Sequence, residues 1–220
     1  MPITPAMRSR HAVRSYRDDP LPADLVASLT ARITELNARH GVDIRLVTND
    51  SSAYGRIWGI FVAHGVRNCL VMSGPESPDL DERLGYCGSE LMLWLQDSGL
   101  NTWWAGGSFS RRGAAAASGA TGRIIGVVAV GYGTTQGKPH KTKQPTDVST
   151  YDGPAPQWFR QGVEAALQAP TAYGHQRFTI RGSGRSVSIT CDNGTYSGAD
   201  LGLVKHHFEV GAGPESFSWA

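Results

Sequence analysis

The sequence predicts an α+β fold built from two unequal halves, and three observations carry that expectation. Apolar residues recur at helical spacing in some segments and as β-branched runs or alternations in others, and the two patterns follow one another along the whole chain. A stretch rich in Gly, Pro, Thr, Ser and Lys, residues 136–156, reads as an extended connector without a core of its own. The order helix, strand, strand, helix occurs on both sides of it. The expected organisation is a first half over 1–135, the connector over 136–156 and a second half over 157–220, packed as one compact unit about a pseudo-twofold axis. Helix–strand alternation is common in any α/β protein, so the order alone does not require a repeat.

Each element has its own justification. Leu25, Val26, Leu29, Ile33 and Leu36 give a helix from Pro22 to His40, with a proline at its start and Gly41 as a stop. "VDIRLVTND" reads as a strand with a polar exit, and a loop from Ile57 leads to a second strand over Asn68 to Ser73. Pro75 and Pro78 interrupt the chain. A helix follows from about Asp81 to Ser98, ended by Gly99. "LNTWWAGGSFS" reads as a turn-rich loop, and "RIIGVVAVGYG" as a central strand covered on both faces. In the second half, "PQWFRQGVEAALQAP" is a helix stopped by Pro170. "RFTIRGSGRSVSITCDNGTY" alternates like paired strands with turns at Gly-Ser-Gly and Asn193-Gly194. Ser197 and Asp200 have capping-box spacing and open a last helix closed by Gly211.

Composition excludes several classes. With 40% hydrophobic residues, the 220-residue chain can fill a sizeable core. A formal net charge of +2 is too small for a nucleic-acid binder that relies on phosphate neutralisation. No run approaches the roughly 20 apolar residues of a membrane helix, and the opening has no apolar signal core, so a cytoplasmic location without membrane contact is expected. Cys69, Cys87 and Cys191 are far apart, which indicates neither a disulfide framework nor a zinc site. His206 and His207 are adjacent on a predicted helix, without carboxylates at ligand spacing, so no metal is expected. Dinucleotide, P-loop and nucleophile-elbow motifs are absent.

Positive charge is concentrated instead in two clusters. In "RSRHAVRSYRDDPL", Arg10 and Arg14 lie four apart. On a helix they would share a face and could grip a phosphate from two sides; from spacing alone a solvated basic face paired with Asp18, Asp19 or Glu35 is the more ordinary reading. The second cluster is Lys138, His140, Lys141 and Lys143, on the far side of an apolar strand. Two such clusters suggest a phosphorylated small ligand rather than a polymer. "NTWWAGG" could be a wall for a flat ring or an aromatic core plug at a turn. In "APTAYGHQ", Thr171, His175 and Gln176 could supply polar contacts, or the segment could be an ordinary loop.

In order, "SRHAVRSYRDDPL", "GYCGSELMLWLQDSGLNTWWAGGSF", "GYG", "KPHKTKQP", "VEAALQAPTAYGHQRF" and "DLGLVKHHFEVGAG" resemble the flavin-dependent nitroreductase family, in particular its short Thermotoga-type branch. The resemblance covers about Arg8 to Gly213. It implies a central, mostly antiparallel sheet with flanking helices. It also implies non-covalent FMN, NADH or NADPH as reductant, and a small nitroaromatic- or quinone-type electron acceptor reduced by ping-pong hydride transfer. Arg10 and Arg14 would grip the FMN phosphate with His11 and Ala12 alongside, and Lys141 and Lys143 match later basic contacts. Trp104, Ala105, Gly106 and Gly107 match the loop beside the flavin ring. Pro170, Thr171 and Ala172, with His175 and Gln176, match a segment that ordinary family dimers take from the partner chain. Here that segment follows the second half's helix, which implies a monomeric pseudo-dimer with one FMN, a homodimer being the alternative. No side chain is expected to act as a catalytic acid or base, because the cofactor carries the chemistry. Three departures stand out: Ala12 replaces a serine, Trp103 stands where a cysteine is frequent, and Gly174 with His175 replaces Asn-Gln. They motivate a rival reading, a flavin-binding or sequestering protein with little turnover; a phosphometabolite binder without flavin is a third.

Overall fold

A computed structural model describes residues 4–55 and 62–220. The loop expected from Ile57 therefore lies partly outside the described residues. After a short helix α1 (Pro5–Ser9), capped by the Thr4 side chain, the chain runs extended to α2 (Ala23–His40). α2 buries Leu29, Ile33 and Leu36 at the expected spacing and ends at Gly41, whose φ of 60° is the left-handed turn a glycine adopts without strain. Then come β1 (Arg45–Val47), β2 (Asn68–Gly74) and α3 (Leu80–Asp97). β3 (Asn101–Ala105), α4 (Arg111–Ser118) and β4 (Arg123–Gly131) complete the first half.

The four strands form one antiparallel sheet in the order β1-β2-β4-β3. The apolar run of β4 is central, as its composition requires, and Val127, Val128 and Ala129 are fully buried. Two expectations change here. "NTWWA" is a strand rather than a loop, because it pairs with Val127–Gly131 along the free side of β4. α4 has no strong apolar stripe; it forms from an alanine-rich stretch that Ser110 caps by accepting the Gly113 amide hydrogen.

The connector is more structured than its composition indicates. It holds a one-turn helix α5 (Pro145–Val148) and β5 (Ser149–Tyr151). β5 joins a second sheet, in the order β5-β6-β7-β8, with β6 (Phe178–Ser183), β7 (Ser186–Cys191) and β8 (Ser218–Trp219). The β6–β7 pair is the expected hairpin, while β5 and β8 add in parallel at the edges. α6 (Gln157–Ala166) and α7 (Ser197–Ala212) cover this sheet. The predicted capping box at Ser197 does not form: the Ser197 hydroxyl donates to the Gly194 carbonyl, and Asp200 turns outward to another segment. Gly211 does not close α7; it lies inside the helix against Ala165, and Gly213 with φ of 82° ends it.

The two halves share their core. One apolar cluster contains Leu84, Leu91 and Val128 from the first half together with Phe159, Leu203 and Phe208 from the second. α3 and α7 pack backbone to backbone because Gly85 lies on the Ala199 carbonyl and Gly202 lies on the Glu82 carbonyl and the Tyr86 amide nitrogen. Any β-carbon there would meet backbone that cannot rotate away. Gly202→Ala is therefore expected to destabilise the protein by about 1–3 kcal/mol, the usual cost of overpacking, as read from urea unfolding. Gly194→Ala, where a methyl meets nothing within 4 Å, serves as the tolerated control.

Candidate functional site

Between the halves lies a cleft of about 1080 Å³, at the upper end of the range for small-molecule and cofactor sites. One wall begins at the opening segment. At Arg10 the chain leaves α1 and becomes extended, and the Val13 amide donates to the Thr102 carbonyl at 3.2 Å, laying this segment beside β3. Arg10 and Arg14 thus do not share a helical face. They lie along an extended segment instead, and both line the cleft. His11 and Ala12 lie between them on the same wall.

Arg10 is 4% exposed, and its Nε is buried without a partner. Burial pulls its pKa down to about 10, the mark of a cation that lacks compensation. The Arg14 guanidinium lies 5.0 Å from the Trp103 ring centroid, and Trp103 stacks on Tyr54. The unusual Trp103 is therefore both a core side chain and the platform for an arginine. Gly137, with φ of 73°, folds the connector onto His11, and Lys138 and His140 join this end of the cleft. Among the described residues no carboxylate pairs with Arg10, Arg14 or Lys138.

Behind Arg10 is a buried histidine pair. His207 Nδ1 is 2.9 Å from the Leu203 carbonyl, which can only accept, so this nitrogen carries the hydrogen. Ser89 Oγ accepts from it at 2.8 Å and donates to His206 Nδ1, also at 2.8 Å. Both rings are neutral: burial lowers the His206 pKa to about 4 and that of His207 well below the usual range, with Arg10 adding to the effect at His207. His11 is lowered by burial first, then by Arg10 and His140.

Trp104, Ala105, Gly106 and Gly107 line the middle of the cleft as expected, at the end of β3. The opposite wall is Pro170, Thr171 and Ala172, followed by Tyr173 and Gly174. Tyr196 crosses between the walls: it lies on Gly106, and its hydroxyl is 2.8 Å from where a β-carbon of Gly107 would be. Tyr173, 81% exposed, stands edge-on to it with centroids 6.2 Å apart. Asp200 also lines the cleft, and its Oδ1 accepts the Ala172 amide hydrogen at 2.9 Å. Burial pushes its carboxyl up to about 6.

Of the residues singled out in the sequence, Arg10, His11, Ala12, Arg14, Trp104, Ala105, Gly106, Gly107, Pro170, Thr171 and Ala172 share this cleft. Lys141, Lys143, His175 and Gln176 do not line it. Lys141 and His175 are exposed. Gln176 is buried and acts as a latch: its Nε2 donates to the Leu167 carbonyl at 2.7 Å and its Oε1 accepts the Lys143 amide hydrogen at 2.8 Å. Lys143 Nζ in turn donates to the Gln176 carbonyl at 2.9 Å. The sequence reading missed Tyr173, Tyr196 and Asp200. The Asn193-Gly194 turn before a polar helix start was the available signal for the last two, but it indicates a helix boundary, not a direction for the side chains. Among the described residues no group of three or more His, Cys, Asp or Glu could hold a metal ion, and no helix is long and apolar enough to cross a membrane.

Residues 2–212 match a family model described as "Putative TM nitroreductase". In structure the chain is similar to a "putative nitroreductase" of Thermotoga maritima, at 19% identity and a TM-score of 0.69, over 96% of this chain and 83% of that one. A nitroreductase-like protein of Streptococcus mutans matches at 13% identity and a TM-score of 0.52, over 64% of this chain and 94% of its own. A Parabacteroides distasonis protein described as a "Putative NADH dehydrogenase/NAD(P)H nitroreductase" matches at 17% and 0.50, over 66% and 96%. At these identities the likenesses concern the fold. No curated protein matches the chain.

The buried histidines set a pH dependence. Unfolded, they take up protons near pH 6.5; folded, His206 resists to about 4 and His207 resists as well, so their contribution is full above pH 6.5 and is lost as pH falls. Asp200 has the opposite sign: its folded pKa is raised from 3.8 to about 6, so its contribution is present at low pH and lost as pH rises through that window. The thermal midpoint is expected to drop between pH 6.5 and 4, less steeply in His206→Asn and more steeply in Asp200→Asn.

Proposed function

The chain belongs to the nitroreductase family, a family of oxidoreductases, and we propose that it binds FMN, takes electrons from NADH or NADPH and reduces nitroaromatic- or quinone-type acceptors. The observation that carries this reading is Arg10. A guanidinium buried beside neutral histidines, with its Nε unpartnered and no carboxylate near, calls for an anion from outside the protein. It opens onto a cleft whose far wall is built from the second half of the chain. The residues fit a cofactor that joins a phosphate to a flat ring.

Arg10, Arg14, His11 and Lys138 would hold the phosphate. Trp104 to Gly107 and Pro170 to Ala172 would flank the ring, with the glycines admitting backbone amides to close range. When bound, FMN supplies a hydride store that reductant and acceptor use in turn, a ping-pong cycle at one site. The side chains bind, orient and exclude water: Tyr196 and Tyr173 cover the cleft beside Gly106 and Gly107. The Parabacteroides distasonis neighbour, named as an NAD(P)H nitroreductase, supports NAD(P)H as reductant. Both walls come from one chain, which favours a monomeric pseudo-dimer with one FMN over a homodimer. Such an enzyme works where NAD(P)H is available, in the cytoplasm.

The deciding experiment is an absorbance titration of the protein with FMN, followed by anaerobic stopped-flow mixing with NADH and with NADPH. A bound yellow chromophore that bleaches rapidly is expected. Binding without bleaching leaves a flavin-sequestering protein, and no binding overturns the reading. In Arg10→Met/Arg14→Ala, FMN affinity is expected to fall by at least about a hundredfold, since each charge-assisted hydrogen bond contributes about 1.5–3 kcal/mol. The unliganded variant should be as stable as the parent or more so, because an uncompensated buried charge has been removed. Fluorescence quenching of FMN and urea unfolding read the two effects separately.

A further inference from the structure

We propose that Asp200, a carboxyl group lining the cleft, is the proton donor to the electron acceptor and protonates the acceptor oxygen that becomes negative on reduction. This inference rests on the cleft being the flavin oxidoreductase site proposed above. Asp200 stands in the first turn of α7 and lines the cleft. Its Oδ1 is committed to the Ala172 amide hydrogen. No cation pairs with Asp200 among the described residues.

The other carboxylate lining the cleft, Asp81, is engaged in an ion pair with Arg123. His11 belongs to the cationic end. Burial favours the protonated form of Asp200, and the Ala172 amide opposes it. Asp81 and Glu82 approach from α3, and Cys191 and Asp192 from the end of β7; Tyr173 and His175 lie on the facing segment. On its own helix, Lys205 is engaged by Glu82 at 2.5 Å, and Tyr196 stands at the helix start. Burial raises the carboxyl to about 6, so a useful fraction carries a proton near neutrality.

The step balances. A quinone that receives one hydride equivalent gains two electrons and one hydrogen and becomes a hydroquinone monoanion. The carboxyl O–H bond of Asp200 breaks, a new O–H bond forms on the anionic oxygen, and the product leaves as neutral hydroquinone. Asp200 remains as a carboxylate and recovers its proton from water. The electrons come from NAD(P)H through the bound flavin. A one-electron acceptor such as ferricyanide needs no proton and bypasses this step.

The test is Asp200→Asn, which keeps an oxygen for the Ala172 amide but has no proton to give. In FMN-loaded protein the reading is the ratio of benzoquinone to ferricyanide reoxidation rates, so that any change in flavin binding or bleaching caused by a weakened Asp200–Ala172 contact cancels. With a water-soluble benzoquinone at pH 6 this ratio should fall by about tenfold to a hundredfold, the low end of general acid catalysis. In the parent, the benzoquinone rate should fall as pH rises through about 6 while the ferricyanide rate does not; this holds as a test even where the variant does not fold. An infrared titration of the cofactor-free protein should show a carboxyl band lost near pH 6 in the parent and absent from Asp200→Asn. Equal loss with both acceptors, unchanged benzoquinone reoxidation, or parallel pH profiles would overturn the proposal while leaving the flavin reading intact. Absence of FMN binding or bleaching would instead remove the flavin reading itself.

Discussion

Everything in this molecule depends on how closely α3 and α7 approach. Gly85 and Gly202 remove the side chains that would otherwise hold these helices at an ordinary spacing, and each backbone rests on the other. Because α3 belongs to the first half and α7 to the second, this contact fixes the halves against each other. It also fixes what extends from them. Tyr196 and Asp200, at the start of α7, reach the cleft only because the helix is seated this low on α3. Gly88 repeats the device one turn further along α3, where it receives the Trp104 ring and aligns β3 with the same frame. The cleft is therefore a consequence of helix packing, not of loops closing over a space.

That frame creates an electrostatic asymmetry. At one end Arg10 is buried against neutral histidines, and Arg14 is supported by an aromatic face instead of a carboxylate. Elsewhere the chain pairs its arginines readily: Arg32 with Glu90, Arg83 with Asp79, and Arg123 with both Glu76 and Asp81. The contrast is informative because leaving a cation buried and unpaired costs several kcal/mol in general, whereas a nearby acid would remove that cost and also the affinity for an external anion. Ser89 contributes by bridging the Nδ1 atoms of both neutral imidazoles, while the His207 Nε2 stays buried without a partner.

Much of this was legible in the sequence. The periodicity located α2, α3, α6 and α7 to within a few residues, because each has an apolar face and a Gly or Pro boundary. β4 was legible because a strand buried on both faces must be apolar throughout. β3 was not, since "NTWWAGG" carries loop residues and its strand character comes from the free edge of β4, a partner distant in sequence. Arg10 and Arg14 were recognised as a pair, but their spacing fits one face of a helix as well as one side of an extended chain, and only pairing with Thr102 decides. Gln176 illustrates the converse. Its motif position suggested a ligand contact, yet its side chain is consumed in tying Leu167 to Lys143. Asp200 looked like a helix cap because a cap and a cleft carboxylate share the same local spacing; the direction of the side chain depends on the Ala172 amide across the gap.

The segment from Thr171 to Gln176 shows how the second half completes the site. Tyr173 and Gln176 both have positive φ, 56° and 49°, a conformation that costs non-glycine residues about 1–3 kcal/mol each and persists only where the surroundings over-determine it. The surroundings here do so from both ends. Asp200 holds Ala172 on one side; on the other, the Thr171 hydroxyl accepts the Gln176 amide hydrogen while the Gln176 side chain is locked to Leu167. Between these anchors Tyr173 is pushed outward, 81% exposed, against the edge of Tyr196. Its exposure at the cleft mouth is the local cost of presenting Pro170 to Ala172 as a rigid wall opposite Gly106 and Gly107, so strain, latch and carboxylate form one device that turns a helix–strand connection into half of a binding site.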